Sequence, residues 1–524
     1  MGRETELKLL LSPEALQHLQ RTPSLLGGSL EPARTRTLRA TYFDSKTRSL
    51  RQLGIMLRLR KEDGVLIQTV KGKKAKGSLA LGRTEHNVEC PANLKKPDLS
   101  RLPKPVARQL NKLLDGAPLT PIFVTEIDRK VGTIRTKDGD EIEWALDCGE
   151  LRVGKKTVPI CELELELLKG EPAALYQKAL DMGGHDKEAA DKGALDFRLG
   201  VQSKGERGFA LAFTERPEAF IARKLKISKS ANVENALETI LRHSMEAILA
   251  NEPAILAHED GEALHQMRVG LRRLRTALKA FALLLDPVYA GELANLAKGL
   301  AVVLGQARDL DVISSSFFGH RRTSKSAARS LLRDEVEKAR REAWAEVIRL
   351  VSSNNFTETV LKLALHIEGR AWRKPDGSKR YRKKNFETPL SLYAEKQFHK
   401  WLSRFRRTYK KSDLTSAAAR HEIRKMLKEL RYMLDMFGHH APASFRASRK
   451  GLAQLQDILG TLNDLEVASD VFTRFIDHLP DETDREKVQQ TAQKLLHTFE
   501  KQHDLPDANG LARKLNNLLN NLSA

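Results

Sequence analysis

The sequence predicts a multidomain protein of two unlike parts: a mainly β domain over residues 1–210 and an all-α domain over residues 231–524. In the first part, about eight short segments alternate polar and apolar residues, and turn sequences such as Glu62-Asp63-Gly64 separate them. In the second part, apolar residues recur at helical spacing over long segments. These patterns favour an antiparallel sheet or barrel followed by a helical domain. A linker is expected at 211–230.

The individual elements follow from the same patterns. The candidate strands are 4–11, 36–44, 55–61, 65–71, 84–89, 125–135, 141–148 and 158–168. Helices are expected at 171–182 and at 12–19, where Ser12-Pro13 suits an N-cap and a first helical position. In the second part the predicted helices are 233–249, 262–285, 292–304, 327–352, 357–367, 391–409, 417–437, 448–459, 466–475, 485–503 and 508–522.

Composition limits the function classes. The three cysteines, Cys90, Cys148 and Cys161, have no metal-type spacing, which fits a reducing cytosol and argues against a disulfide framework or a zinc site. No apolar signal core and no run of about 18 apolar residues is found, so we expect a soluble, cytoplasmic protein without a membrane span. The formal net charge of +22 predicts a polyanionic partner: nucleic acid, an anionic membrane or a phosphate polymer.

Charged residues follow single faces of several predicted strands. A period of two places Glu4, Glu6 and Lys8 on one face of the first strand. Arg58 and Arg60 share a face of another strand, opposite leucines. On the last strand Glu162, Glu164 and Glu166 share a face, again opposite leucines.

Three glutamates on one strand face repel one another, because next-but-one residues are only about 7 Å apart. A sheet that closes with its leucines outward, against helices, would bring the acidic and basic faces together inside a polar tunnel. Such a tunnel would hold Mg²⁺ or Mn²⁺ on carboxylates and a polyphosphate on Arg and Lys. The alternative is a sheet whose charged face meets water.

The first 210 residues resemble the CYTH domain, whose members are the triphosphate tunnel metalloenzymes. The resemblance rests on Glu4-x-Glu6-x-Lys8, Leu57–Arg60, Thr69–Gly72, Arg83-x-Glu85, the strand from Cys161 to Leu167, and Ser203–Gly208, in this order. It implies an eight-stranded antiparallel tunnel that binds triphosphate compounds with divalent metal ions. Members of the family include inorganic triphosphatases, thiamine triphosphatases and class IV adenylate cyclases.

The resemblance also implies roles for individual residues. Glu4 and Glu6 would be metal ligands, joined by some of Asp147, Glu162, Glu164 and Glu166. The phosphates would be held by Lys8, Arg58, Arg60, Lys71, Arg129 and Lys204, with Glu85 and Arg207 in support. Glu4, Glu6 and Lys8 are the candidate catalytic residues, and the expected chemistry is in-line attack of a metal-activated water without a covalent intermediate. Glu4→Ala or Lys8→Ala should strongly reduce turnover without unfolding the domain.

The helical part contains an internal repeat. The segment 265–275 (HQMRVGLRRLR) matches 421–431 (HEIRKMLKELR), and 304–312 (LGQARDLDV) matches 459–467 (LGTLNDLEV). Two pseudo-symmetric four-helix units are the expected arrangement. Helical geometry places four basic or protonatable residues of each copy on one face, in phase: His265, Arg268, Arg272 and Arg275, and His421, Arg424, Lys428 and Arg431.

These paired helices resemble the CHAD domain, an α-helical module often fused to CYTH domains. The resemblance covers about residues 225–524 and implies that the eight residues of the two faces bind inorganic polyphosphate. The second copy departs from the first where Glu429 replaces Arg273 and Asn463 replaces Arg308. Residues 351–450 hold 24 Lys and Arg against 9 Asp and Glu, partly in the basic loop 370–384, so the polyanion surface should concentrate there.

The sequence therefore favours a divalent-metal inorganic triphosphatase whose helical domain binds polyphosphate, in the cytoplasm and in association with polyphosphate granules. A non-enzymatic polyphosphate-binding protein is the main alternative, and cyclase or thiamine triphosphatase activity of the tunnel stays open. A nucleic-acid partner is disfavoured, since aromatics make up only 6% of the chain and no zinc-finger or RNA-recognition motif is present.

Overall fold

The structure is a computed structural model, and it describes residues 5–22, 26–27, 33–74, 83–183, 195–319, 326–373, 385–479 and 482–523. Glu4 and most of the basic loop 370–384 lie outside this part of the chain. The chain forms two compact units. The first comprises residues 1–218 and 351–371, and the second comprises residues 219–350 and 372–524.

The first unit is built on one antiparallel sheet. Its strands are β1 (Glu6–Leu11), β2 (Arg34–Asp44), β3 (Met56–Glu62), β4 (Val65–Lys74), β5 (Arg83–Cys90), β6 (Thr120–Arg135), β7 (Glu141–Val153), β8 (Lys156–Lys169) and β9 (Phe197–Leu199). Their order across the sheet is β5-β4-β3-β2-β6-β7-β8-β1-β9.

The expectation of a closed, eight-stranded tunnel is not confirmed. Within the described residues the sheet has nine strands, and β5 and β9 are its two edges, so its backbone hydrogen bonds do not close a ring. All eight predicted strands are present. The ninth, β9, is a three-residue strand that pairs with β1 and was missed because so short a segment shows no periodicity.

The strand faces separate charge from apolar side chains. Leu57, Leu163 and Leu165 are fully buried on the face that carries no predicted site residue. Helix α2 (Lys104–Leu114) covers part of that face, with Leu110 and Leu114 in one cluster with Leu57. Burial of the leucines therefore fixes the orientation of each strand, and the charged residues between them must point the other way.

Two further helices pack on the sheet, and a third helix joins them from far along the chain. Helix α1 (Pro13–Arg21) contacts β1 and β8, and α3 (Ala173–Met182) contacts the same strands. A helix from the second half of the sequence, Asn354–Glu368, packs on α3 and β9. This helix corresponds to the one predicted at 357–367, and in the structure it belongs to the first unit.

Helix α4 (Lys204–Phe213) packs against β6 and β7 and was not predicted. A capping box fixes its start, because Ser203 and Glu206 each bond the other's backbone N–H. Phe209 meets the ring of Phe123 edge-on at 5.3 Å, and Phe123 stacks on Tyr42 at 4.3 Å. The first turn of α4 is thereby held at the concave face of the sheet.

We expect Gly208→Ala to destabilise the first unit. A Cβ at Gly208 would lie 2.2 Å from the ring of Phe123, so the helix or the ring would have to move. Overpacking of this kind costs about 1–3 kcal/mol. Thermal unfolding of the full chain measures the effect. The control is Gly299→Ala, where an added Cβ meets nothing within 4 Å; equal melting curves for both variants would contradict the prediction.

The second unit is helical. The helix Asn354–Glu368 of the first unit is numbered α10. The α-helices of the second unit are α5 (Val233–Leu249), α6 (Glu252–His258), α7 (Gly261–Ala280), α8 (Pro287–Phe318), α9 (Ala327–Ser352), α11 (Leu390–Lys410), α12 (Ala417–Phe437), α13 (Ala443–Ala447), α14 (Arg449–Asp477), α15 (Glu482–Gln502) and α16 (Ala508–Ser523). The two helices predicted at 448–459 and 466–475 are one continuous helix, α14.

The repeat is visible in the element order, since α7 followed by α8 carries the first copy of the motifs and α12 followed by α14 carries the second. The division into two separate four-helix units is not confirmed. One hydrophobic cluster contains Phe317 of α8 and Val336 of α9 together with Phe472 of α14 and Phe499 of α15. Helices of the two copies thus share a core.

Helix α8 is, within the part of the chain that the structure describes, the one helix long and apolar enough to cross a membrane by length and composition alone. Buried helices of soluble proteins pass the same test, and this helix carries Arg308 and Asp309 of the repeat motif. The finding is weak evidence for a membrane span.

Candidate functional site

The concave face of the sheet encloses a cavity of about 670 Å³. Strands β1 to β8 and the first turn of α4 contribute to its lining. Ten of the residues singled out in the sequence line it: Glu6, Lys8, Arg58, Arg60, Lys71, Glu85, Arg129, Glu164, Glu166 and Lys204. Glu4 lies outside the described residues. Of the remaining three, Asp147 and Glu162 form ion pairs with the lining residues Arg129 and Lys204, and Arg207 pairs with Glu162.

Three carboxylates at one side of the cavity could hold a metal by distance, because oxygens of Asp147, Glu162 and Glu164 all lie within 4.8 Å of one another. The ammonium group of Lys204 lies among these three carboxylates. Its Nζ is 2.7 Å from Asp147 Oδ2, 2.5 Å from Glu162 Oε2 and 2.8 Å from Glu164 Oε1. The ammonium group therefore neutralises the site that a cation would take.

Further cations complete this ion-pair network. Arg129 donates from Nε to Asp147 Oδ1 at 2.6 Å and from a terminal nitrogen to Glu164 Oε2 at 2.6 Å. Lys8 contacts Glu164 and Glu162, and Arg207 contacts Glu162. Burial alone would raise the pKa of Glu164, but Lys204, Lys8 and Arg129 outweigh it and hold that pKa well below its ordinary value. Glu164 therefore stays ionised among these cations.

A second group of carboxylates has fewer cations beside it. Glu166 on β8 is opposite Glu6 on β1 and opposite Glu143 on β7, and all three line the cavity. Burial, followed by repulsion from Glu143 and Glu6, raises the pKa of Glu166 to about 7. Carboxylate oxygens are the donors that Mg²⁺ and Mn²⁺ prefer, so this group is a second candidate for a divalent cation, beside Asp147, Glu162 and Glu164, whose oxygens lie within 4.8 Å of one another.

The opposite wall of the cavity is basic. Lys71 Nζ is 2.7 Å from Glu85 Oε2, and Arg58 approaches Glu85 at 3.8 Å. Arg60 is 3.0 Å from Glu62. The Nε atoms of Arg58 and Arg60 are buried, and in the described part of the chain they have no hydrogen-bond partner. Such N–H groups are donors for phosphate oxygens.

Some lining residues were missed in the sequence. They are Glu143, Arg36, Glu62, Tyr42 and Asn87. For Glu143 a signal existed, since it lies four residues before Asp147 on the same strand and therefore on the same face. Gly200 was missed as well, and a Cβ there would lie 2.7 Å from Lys8 Cγ, so glycine leaves room for the lysine stem.

In the second unit the structure brings basic residues of both repeat copies together. Arg272 of α7 lies near Arg424 and Lys428 of α12, as their mutual electrostatic effects show. Burial, and then Arg272 and Arg424, lower the pKa of Lys428 to about 6. Arg268 lies 4.0 Å from Asp309 of α8, and burial together with Arg308 lowers the pKa of His265.

The two copies hold their basic residues differently. Asn463 Oδ1 accepts hydrogen bonds from Arg424 at 2.8 Å and from His421 Nδ1 at 3.1 Å. In the first copy the corresponding position is Arg308, which adds a charge beside His265. Arg431 is exposed close to Lys428, whereas Arg275 is exposed without a described contact to this cluster. We call the seven clustered residues, without Arg275, the basic cluster.

Comparison with known proteins identifies both parts of the chain. A model of the CYTH domain matches residues 2–189, and a model of the CHAD domain matches residues 239–473. The inorganic triphosphatase of Haemophilus influenzae is 30% identical over 185 residues, which cover 34% of this chain and 48% of that protein. The chain therefore spans about half the length of this curated relative.

Solved structures match both units. The CHAD domain of the plant Ricinus communis is 27% identical, with 57% of this chain and 96% of that chain covered at a TM-score of 0.47. A candidate adenylyl cyclase of Hippeastrum with a dominant triphosphatase activity is 20% identical, with 40% of this chain and 95% of that chain covered at a TM-score of 0.26. The chain carries a CYTH domain over residues 2–189 and a CHAD domain over residues 239–473.

Proposed function

We propose that the first unit is a divalent-metal inorganic triphosphatase and that the second unit binds inorganic polyphosphate. The observation that carries the proposal is the division of charge in one cavity: neighbouring carboxylates at Glu6, Glu143 and Glu166 line it together with basic residues at Arg58, Arg60 and Lys71. A triphosphate with a bound divalent ion has the complementary charges. The related inorganic triphosphatase supports the same reaction class.

Each wall has a separate task in the reaction. Arg58 and Arg60, which line the cavity, would bind phosphate oxygens with their guanidinium groups and hold the triphosphate in line for attack. Glu6 and Glu166, with Glu4 as predicted and Glu143, would hold Mg²⁺ or Mn²⁺. The bound ion would supply a water of lowered pKa and neutralise phosphate oxygens. Water attacks the terminal phosphorus, the bridging P–O bond breaks, and phosphate and pyrophosphate leave.

The cavity favours inorganic triphosphate over a nucleotide or thiamine triphosphate. Tyr42 is the one aromatic ring among the described lining residues, and it already stacks on Phe123. A base or a thiazole ring would find little surface to stack on. Phosphate release from triphosphate, ATP and long-chain polyphosphate, each with and without Mg²⁺, tests the proposal. No release from any of the three would favour the non-enzymatic polyphosphate-binding protein.

Lys8→Ala is expected to lower kcat/KM for triphosphate by about 100-fold, the scale of a lost electrostatic contact to the transition state. Lys8 is only 3% exposed and connects Glu6, Glu162 and Glu164 across the acidic wall. The control is Lys61→Ala, an exposed lysine on the other face of β3. Near-normal activity of a folded Lys8→Ala variant would reject the assignment.

Polyphosphate binding by the basic cluster should depend on pH. With a pKa of about 6, Lys428 is mostly neutral at pH 8 in the free protein, and bound phosphate charge would raise that pKa and draw in a proton. Affinity should therefore fall as pH rises from 7 to 9, by at most about tenfold per pH unit for one proton. Arg replaces the titrating group by a fixed charge, so Lys428→Arg should flatten the profile; an unchanged slope would contradict the prediction.

A further inference from the structure

Two of the three cysteines lie directly opposite each other on neighbouring strands. Cys148 of β7 pairs with Cys161 of β8 in the antiparallel register. Both are free thiols of intermediate exposure. Their neighbours Asp147 and Glu162 point towards the cavity cluster, so the two cysteines point to the other face of the sheet. Small reagents can reach them there without entering the cavity.

The backbone geometry at this pair can be derived from one hydrogen bond. Leu167 N donates to Thr5 O at 2.9 Å, so the backbone of Leu167 faces β1. Along a strand, the backbone N–H and C=O groups of successive residues point in turn to one neighbouring strand and then to the other. No register shift occurs between positions 161 and 167. Cys161 therefore also faces β1, which makes Cys148 and Cys161 a non-hydrogen-bonded pair across β7 and β8.

A pair of this kind has the spacing that a disulfide needs. Opposite Cα atoms are about 4.5 Å apart at non-hydrogen-bonded positions, where the side chains also approach most closely. Disulfides span Cα distances of about 4.4–6.8 Å. At a hydrogen-bonded pair the Cα atoms would be about 5.5 Å apart and the side chains farther from each other.

We propose that Cys148 and Cys161 form a reversible disulfide when the protein meets a peroxide or a disulfide oxidant. With a peroxide, one thiolate attacks an oxygen and the O–O bond breaks, which gives a sulfenic acid and water. The second thiolate then attacks that sulfur, the S–O bond breaks, and a second water leaves. Two thiols are oxidised and one peroxide is reduced. An external thiol reverses the bond by exchange.

The environment sets the speed of this reaction. Burial, and then the neighbouring Cys148, raise the pKa of Cys161, so little thiolate is present at neutral pH. Sustained oxidant rather than a brief pulse should be needed, and oxidation should accelerate as pH rises. This fits a thiol pair that remains reduced under ordinary cytosolic conditions.

The disulfide would act on the site through the backbone. Cβ atoms at a non-hydrogen-bonded pair are about 4.5 Å apart, and a disulfide would draw them to about 3.8 Å. The adjustment is small, and it falls next to Asp147 and Glu162, which hold Lys204. Displacements of this size reduce catalysis strongly when they reach catalytic groups.

The test uses the native full-length chain, exposed to hydrogen peroxide or to glutathione disulfide and then alkylated and digested without reductant. Arg152, Lys155 and Lys156 lie between the cysteines, so trypsin separates them unless they are bonded. We expect a cross-linked peptide pair lighter by two hydrogens, absent in Cys148→Ser and Cys161→Ser and retained in Cys90→Ser. Complete alkylation of both thiols in protein that stays folded, or a cross-link through Cys90, would overturn the proposal.

The activity measurement rests on the proposed function and is separate from the mass measurement. Oxidised wild type should lose triphosphatase activity several-fold and regain it with dithiothreitol, while Cys148→Ser and Cys161→Ser should resist the oxidant. A cross-link that leaves the rate unchanged would refute the link to the cavity but not the disulfide. Reduced protein without activity would instead refute the proposed function.

Discussion

Glu166→Gln is expected to reduce triphosphate hydrolysis by about 100-fold or more. Glu166 stands between Glu6 and Glu143, and burial together with repulsion from these two carboxylates raises its pKa to about 7. A divalent ion would offset this repulsion. Glutamine keeps the size of the side chain but removes the charge, so the affinity for the ion should fall together with the rate.

Phosphate release over a Mg²⁺ titration measures both effects. The variant should need more Mg²⁺ to reach half its maximal rate. Glu150→Gln is the matched control, because Glu150 belongs to β7 but faces away from the cavity and pairs with Arg152. A wild-type rate and an unchanged Mg²⁺ requirement in folded Glu166→Gln would show that the ion binds elsewhere, for example at the cluster of Asp147, Glu162 and Glu164.

Replacing both Arg268 and Arg424 by Glu is expected to weaken binding of long-chain polyphosphate by about 100-fold. The slope of log affinity against log salt concentration should also fall by about two, one for each lost phosphate contact. The two arginines come from equivalent positions of the two repeats. Each has a buried nitrogen without a hydrogen-bond partner in the described part of the chain, Arg268 at a terminal nitrogen and Arg424 at Nε. The guanidinium groups of both arginines are the proposed donors to phosphate oxygens.

The control makes the same change in net charge elsewhere in the second unit. Lys425 lies on the same helix as Arg424 but is exposed and paired with Glu422, and Arg349 of α9 is exposed beside Glu346. Lys425→Glu with Arg349→Glu should leave most of the affinity. If both double variants lose affinity equally, binding follows overall charge and the basic cluster is not a site.

The strands and their faces could be predicted from the sequence because burial of leucines on one face leaves only one register. Helix α4 could not, since Gly205 and Gly208 have poor helix propensity, and the signal that remained was the capping box of Ser203 and Glu206. For a similar reason the sequence pattern predicts two helices where the structure has the single helix α14. Gly460 and Asn463 interrupt its pattern, and packing of α14 on α12 and α15 overrides the local preference.

The site was predictable in part. Alternation along strands placed Glu6, Arg58 and Glu166 on the faces that line the cavity. What alternation cannot show is which charges meet across the sheet. Lys204 enters from a helix that follows the last long strand, and its contact with Asp147, Glu162 and Glu164 depends on where α4 packs. The sequence therefore could not separate the carboxylates around Lys204 from those with fewer cations beside them.

Helix α10 affects how the protein responds to proteolysis and how it can be divided into fragments. The chain passes between the two units three times, near residues 218, 350 and 371, because residues 351–371 return to the first unit. After a protease nick near residue 218, residues 1–218 would therefore still be held non-covalently through α10, which packs on α3 and β9. A fragment that ends at residue 218 would lose α10 and uncover the apolar sides of α3 and β9. Expressing residues 1–218 with 351–371 as a second segment should restore solubility that the shorter fragment lacks.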